Sequence, residues 1–193
     1  MVIGSHNSWS FLRPKKWWMK LFRWSARCQD VDIREQYNLY NVNCFDLRIK
    51  FNKKGEVLVS HNKYICDITE RELREDLKFL NEQGECYVRV IHDVRSESEA
   101  TSTNKYNFIM FCKEIEKHYP YIKFWCGRNM YDWSVDYDFA GVEPTCCERY
   151  GSVAKPKWLN GLYPRKYAKK YNRTIVEDGT TKDILLIDFV NLK

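Results

Sequence analysis

Apolar residues along the chain switch between the alternating pattern of strands and the wider spacing of helices, and those switches order the elements. Residues 2–5 form a short apolar run that ends at His6. Residues 13–27, rich in tryptophan, lysine and arginine, read as a helix. Cys44–Phe51 alternates, residues 52–56 hold a lysine-containing glycine turn, and residues 57–60 are apolar up to His61, so the prediction is a strand, a turn and a second strand. Thr69 and Glu72 have the spacing of a capping box; Leu73, Leu77 and Leu80 follow at helical intervals, and Gly84 ends the segment. Residues 86–94 read as the next strand. Residues 104–119 repeat Phe108, Phe111, Cys112 and Ile115 on one helical face before Pro120, and residues 122–126 return to strand. The pattern is poorer from 131 to 172, where a helix over 158–171 is expected. It sharpens again at 184–190, an apolar run interrupted by Asp188. No internal repeat or low-complexity linker divides the chain, so a single domain over residues 1–193 is expected.

Strands that alternate with helices and are apolar on both faces predict an α/β fold with a mostly parallel sheet. His6, Arg48, His61 and Asp93 fall at or near the C-terminal ends of predicted strands, which is the catalytic face of a (β/α) barrel. A complete barrel usually takes about 250 residues. A chain of 193 residues therefore implies a compact, incomplete TIM barrel with shortened or missing helices. A content of 44% hydrophobic and 16% aromatic residues is enough for one buried core and excludes a disordered chain.

Lysine and arginine outnumber aspartate and glutamate by 32 to 26, a formal charge of +6, which favours anionic partners such as phosphates, nucleic acid or acidic lipid headgroups. Neither a signal peptide nor a membrane-spanning run is read in the sequence. Four of the eight cysteines (Cys44, Cys86, Cys112, Cys126) lie in predicted strands and helices, where free thiols pack as small apolar residues, so a reduced, cytoplasmic protein is expected. Cys146 and Cys147 are adjacent rather than spaced as zinc ligands.

Three segments carry the chemistry: Gly4-Ser5-His6-Asn7-Ser8, then Cys28-Gln29 through Gln36 to Phe45-Asp46-Leu47-Arg48, then Val57-Leu58-Val59-Ser60-His61. In order and spacing they resemble the X region of the phosphatidylinositol-specific phospholipases C, within the phospholipase-C-like phosphodiesterases, over the first half of the chain. The resemblance implies His6 as general base and His61 as general acid, cleaving a phosphodiester beside a free hydroxyl through a cyclic phosphate, with a phosphoinositide as the substrate. Arg48 would face the nonbridging oxygens as a fixed cation, and Asp46 would share its strand face. In the calcium-dependent eukaryotic relatives an acidic ligand stands where Arg48 stands here, whereas the secreted bacterial relatives have arginine, so no metal and no other cofactor is expected. Asp188, on a last strand closing against the first, would orient His6 as the late aspartate of the bacterial enzymes does.

The chain departs from that pattern at Asn7, where the bacterial enzymes have an aspartate paired with the second histidine, and at Asn43, where arginine is frequent. Candidate substrate contacts are Asn7, Asp93, Arg89, Arg128 and Tyr163. Trp17, Trp18 and Trp24, among lysines and arginines, are candidate contacts with an anionic membrane surface, against the alternative of a helix packed on the barrel. His118 reads as a helix C-terminal cap and His92 as a packed core residue. A glycerophosphodiester hydrolase, a nucleotide phosphodiesterase and a non-catalytic lipid- or nucleic-acid-binding module are the rival readings. A monomer that makes peripheral membrane contact is expected, with nucleic acid not the expected partner.

Overall fold

The computed structural model describes residues 1–128, 133–149 and 163–193. They belong to two compact units, one drawn from residues 1–46 and 144–193 and the other from residues 47–143.

In the first unit, strand β1 (Val2–Ser5) lies between two parallel neighbours. On one side Gly4 and Ser5 pair with Cys44 and Phe45 of β2 (Cys44–Phe51); on the other all four residues pair with Ile184–Ile187, the last strand. The strand Cys146–Glu148 pairs in parallel beyond that one. Ile184, Leu185, Leu186 and Ile187 are fully buried, as expected of a strand covered on both faces. Gly4 permits the close packing: a Cβ there would lie 2.4 Å from Leu186 Cδ2 and 3.0 Å from Cys44 Cβ.

Two expectations change in this unit. Residues 13–27 do not make one helix; a 3-10 helix (Trp17–Phe22) runs into a single α-turn, α1 (Arg23–Ala26). Of this stretch's large apolar side chains only Met19 is buried, and a short helix with no apolar face seated on a core lacks the packing that sustains regular α structure. The apolar run 184–190 leaves the sheet at Ile187, because Phe189 adopts a left-handed conformation (φ 49) and starts a short 3-10 helix, Val190–Leu192. A helix that the periodicity did not disclose, α2 (Ile33–Tyr40), opens with an Asp32/Glu35 capping box and closes on Asn41 in the left-handed region. Of the helix expected at 158–171, residues 158–162 lie outside the described residues; the observed helix runs Pro164–Asp178, with proline in its first turn, where a missing N–H costs nothing.

In the second unit, Ile49, Lys50 and Phe51 of β2 pair antiparallel with Val59, Leu58 and Val57 of β3 (Val57–His61), and β4 (Tyr64–Ile65) turns back on β3. Strand β5 (Cys86–His92) hydrogen-bonds to β2 and runs parallel to β6 (Ile122–Gly127). Helix α3 (Glu70–Gln83) starts at the expected Thr69/Glu72 capping box and buries Leu73, Leu77 and Leu80. Helix α4 (Ser102–His118) buries Phe108, Phe111, Cys112 and Ile115. With the strand Cys146–Glu148 as β7, Ile184–Ile187 as β8 and Pro164–Asp178 as α5, the order along the chain is that of an α/β fold. All eight cysteines are free thiols; burial pushes Cys66 up to about 12 and Cys86 up to about 11, so neither is a reactive thiolate near neutral pH. Among the described residues no helix is long and apolar enough to cross a membrane.

Replacing Gly4 by alanine should wedge β1 away from β8 and cost about 1–3 kcal/mol. Urea denaturation of Gly4→Ala against the natural chain would measure this, and an unchanged midpoint would show that Leu186 can move aside.

Candidate active site

In the first unit His6, 4% exposed, follows directly from β1. Its neighbour across the β1–β8 pairing is Asp188, 3% exposed, and His6 Nδ1 lies 2.7 Å from Asp188 Oδ1. That hydrogen bond assigns a proton to Nδ1 when the imidazole is neutral and leaves Nε2 as the basic nitrogen. On that side, 3.9 Å from Nε2, is Asp46 Oδ2, which also accepts the Asn7 backbone N–H at 3.0 Å.

A set of buried polar side chains holds this arrangement. Gln29 Nε2 donates to the carbonyls of His6 (2.9 Å) and Ile187 (3.0 Å), while its Oε1 accepts from Val190 N–H (3.1 Å). Asn172 Nδ2 donates to the carbonyls of Asp188 (2.7 Å) and Phe189 (3.1 Å). Ser10 Oγ accepts the N–H groups of Cys28 and Gln29, Gln36 donates to the carbonyls of Ser8 and Val31, and Ser8 Oγ accepts from Asp46 N–H at 2.8 Å. All five side chains are buried, and they join the ends of β1 and β8 to the turns that follow them, so that backbone groups taken out of water there find partners. The sequence motif includes Ser8 but gives it no role, and the sequence reading missed Ser10 and Asn172; the Ser-x-Ser pattern beside His6 was the available signal for Ser10.

Asn7 takes a left-handed conformation (φ 50), which asparagine tolerates better than most residues, and its buried Nδ2 has no hydrogen-bond partner among the described residues. Cys28 completes a cluster with His6 and Asp188 in which one donor atom from each lies within 4.8 Å of the others. A metal ion there would have to displace the His6–Asp188 hydrogen bond.

In the second unit His61 ends β3 and is half-buried. Asn62 follows it in a left-handed conformation (φ 59), as Asn7 follows His6. Asp93, fully buried, accepts on Oδ2 from Ser60 Oγ (2.6 Å) and Asn62 N–H (2.7 Å). Arg48 is half-buried on β2, whose flanking Leu47 and Ile49 are fully buried. Arg89, 9% exposed, lies against Gly127, where a Cβ would come 2.2 Å from its Nε. Arg128 is exposed and pairs with Asp136 at 3.0 Å. In the first unit Tyr163 is half-exposed and stacks on Trp24, with ring centroids 5.2 Å apart. A groove of about 280 Å³ along α5, lined by Tyr163, Lys166, Tyr167, Lys170 and Tyr171, includes neither histidine. His118 Nδ1 meets the Glu114 carbonyl at the end of α4, the capping role expected of it. His92 is fully buried and stacks on Phe108 at 4.9 Å.

The fold is an α/β fold of the TIM-barrel-like type, and solved structures make it more specific. The phosphatidylinositol-specific phospholipase C from Listeria monocytogenes superposes with a TM-score of 0.63 at 12% identity, covering 97% of this chain and 87% of that one. The H258Y mutant of the phosphatidylinositol-specific phospholipase C from Staphylococcus aureus gives a TM-score of 0.63 at 17% identity, covering 97% and 84%. A further S. aureus structure, described as concerning membrane binding by that enzyme, gives 0.61 at 15% identity. No protein-family profile and no curated protein matches the chain by sequence. The chain thus has the fold of the bacterial phosphatidylinositol-specific phospholipases C.

Burial lowers the His92 pKa from 6.5 to about 4, opposed in part by Asp93 and reinforced by Lys105 and Lys50. Between those two values the unfolded chain binds a proton that the folded chain refuses, so stability is intact above pH 6.5 and declines as pH falls toward 4. Thermal unfolding of His92→Phe should show a flatter acid limb than the natural chain. Parallel curves would remove His92 as a source of acid sensitivity.

Proposed function

We propose that this protein is a phosphodiesterase of the phospholipase C type that cleaves a phosphodiester beside a free hydroxyl, with a phosphoinositide as substrate. The observation that carries this reading is the buried His6–Asp188 pair at the end of β1, on a fold whose solved examples are phosphatidylinositol-specific phospholipases C. Asp188 keeps the proton on Nδ1, so Nε2 is free to take the proton of the attacking hydroxyl. The imidazolium that forms then lies beside two carboxylates, Asp188 and Asp46.

As the hydroxyl oxygen bonds to phosphorus, the bond to the leaving alkoxide breaks and His61 gives that oxygen a proton. The product is a cyclic phosphate and a free alcohol. Arg48 balances the charge on the nonbridging oxygens, and the unpartnered Asn7 amide, with Arg89, offers donors to substrate hydroxyls or phosphate. This scheme assigns no step to a metal or other cofactor.

Trp17, Trp18, Leu21, Phe22 and Trp24 are exposed together, beside exposed Lys15, Lys16 and Lys20. Such a cluster is unusual on a surface facing only water, and its mix of aromatic and cationic groups suits the headgroup region of an anionic bilayer. We assign it peripheral membrane contact. Trp17→Ala/Trp18→Ala should sediment about 10-fold less with vesicles of phosphatidylinositol and phosphatidylcholine while retaining turnover of a water-soluble substrate. Equal sedimentation of the two proteins would reject the assignment.

Release of inositol phosphate from phosphatidylinositol vesicles, with EDTA present, tests the reaction. The natural chain should turn over, and His6→Ala and His61→Ala should each fall by about 100-fold or more. Turnover restored only by calcium would overturn the metal-free assignment. No turnover under either condition would favour a nucleotide substrate or a binding module, and salt-sensitive lipid binding indifferent to His6→Ala would select the module.

A further inference from the structure

We propose that Asp93 is the positioning residue that aims His61, an inference that rests on the phosphodiesterase reading and extends it to a residue outside the acid/base pair. One carboxylate oxygen, Asp93 Oδ2, accepts both the Ser60 hydroxyl at 2.6 Å and the Asn62 backbone N–H at 2.7 Å. Those donors stand immediately before and after His61, so a single buried atom ties the chain on both sides of the imidazole-bearing residue. Asn62 is held at its other end too, since its carbonyl accepts from Lys50 Nζ at 2.6 Å. The carboxylate has its own anchor: Asp93 N–H donates to the Ile49 carbonyl on β2 at 2.8 Å.

The same device recurs at the other histidine. His6 is followed by Asn7 in the left-handed region, the Asn7 N–H is accepted by the carboxylate of a buried aspartate, Asp46, and the backbone N–H of that aspartate donates to the Ser8 hydroxyl. Two His-Asn turns of one chain, each pinned by a buried aspartate that accepts the asparagine N–H on its carboxylate, argue for a shared purpose. A neutral acceptor could satisfy Ser60 and Asn62 with less desolvation than a buried carboxylate. The charge becomes intelligible if it also supports an imidazole that must hold a proton until the leaving oxygen needs it.

The test compares two substrates. Phosphatidylinositol releases its diacylglycerol as an alkoxide that needs a proton, whereas a 4-nitrophenyl inositol phosphodiester releases a phenolate that does not. Asp93→Ala should lower turnover of the lipid by about 100-fold and of the nitrophenyl ester by less than about 5-fold. Asp93→Asn, whose amide oxygen can still accept from Asn62, should recover part of the lipid turnover. Ser60→Ala, which leaves Asp93 in place, should give a smaller loss with the same substrate preference. In the proton–carbon NMR spectrum the His61 ring signal should broaden or split in Asp93→Ala while that of His6 stays sharp. Equal losses on both substrates would make Asp93 a structural residue only, and an unmoved His61 ring signal would overturn the proposal. If the natural chain turns over neither substrate, the phosphodiesterase reading fails on its own, and the NMR comparison still decides whether Asp93 aims His61.

Discussion

The parallel pairing of the first strand with the last is the constraint on which the first unit depends. Ser5 lies opposite Ile187, so the next residues on each strand, His6 and Asp188, leave the sheet together and meet at 2.7 Å although 182 positions separate them. A slip of one residue would turn one partner to the other face and break the bond. Gly4 admits the close approach of Leu186 and Cys44 that this register needs, and four buried aliphatic residues of β8 hold the strand in place. The pairing is non-local, so its entropic cost is met only when both ends of the chain are gathered, and the His6–Asp188 pair exists only in the folded molecule.

Around that pair the structure is polar and buried, a combination stable only if each group is satisfied. Gln29 and Asn172 divide the work, one amide joining the His6 and Ile187 carbonyls and the other joining those of Asp188 and Phe189. Their effect is to fix backbone that has just left a strand, so His6 is supported by a frame rather than by one contact. In the second unit a smaller frame of Ser60, Asn62, Lys50 and Asp93 surrounds His61. Asparagine after each histidine makes both frames feasible, because the left-handed turn sends the chain away and leaves the imidazole at the strand end.

Likeness of fold at 12–17% identity does not by itself assign chemistry, since one fold hosts many reactions. The proposed function is therefore carried by residues: a histidine bonded through Nδ1 to a buried carboxylate, a second carboxylate 3.9 Å from its Nε2, an arginine on the strand that carries that carboxylate, and an exposed aromatic-basic stretch. Each has a separate physical reason, and together they support the proposed cleavage of an anionic phosphodiester at a lipid–water boundary.

Much of this was legible in the sequence. Alternation bounded β2 and the run to His61, the Thr69/Glu72 box and the leucine spacing located α3, and Asp188 in an apolar run announced a charge that needed a partner. Local signals of this kind survive because side-chain periodicity and capping act over a few residues. The helix expected at residues 13–27 failed for the complementary reason: its composition was amphipathic, but whether a core stood ready to receive its apolar face was a question of long-range packing. Sequence by itself thus determined the order of strands and helices, the two His-Asn pairs and the identity of the charged groups. The resemblance implied that Asp188 orients His6, and the tertiary structure supplied the geometry of that pair; only the tertiary structure decided that Gln29 and Asn172 brace it and that Asp93 grips both neighbours of His61, because those bonds join residues whose proximity no local pattern encodes.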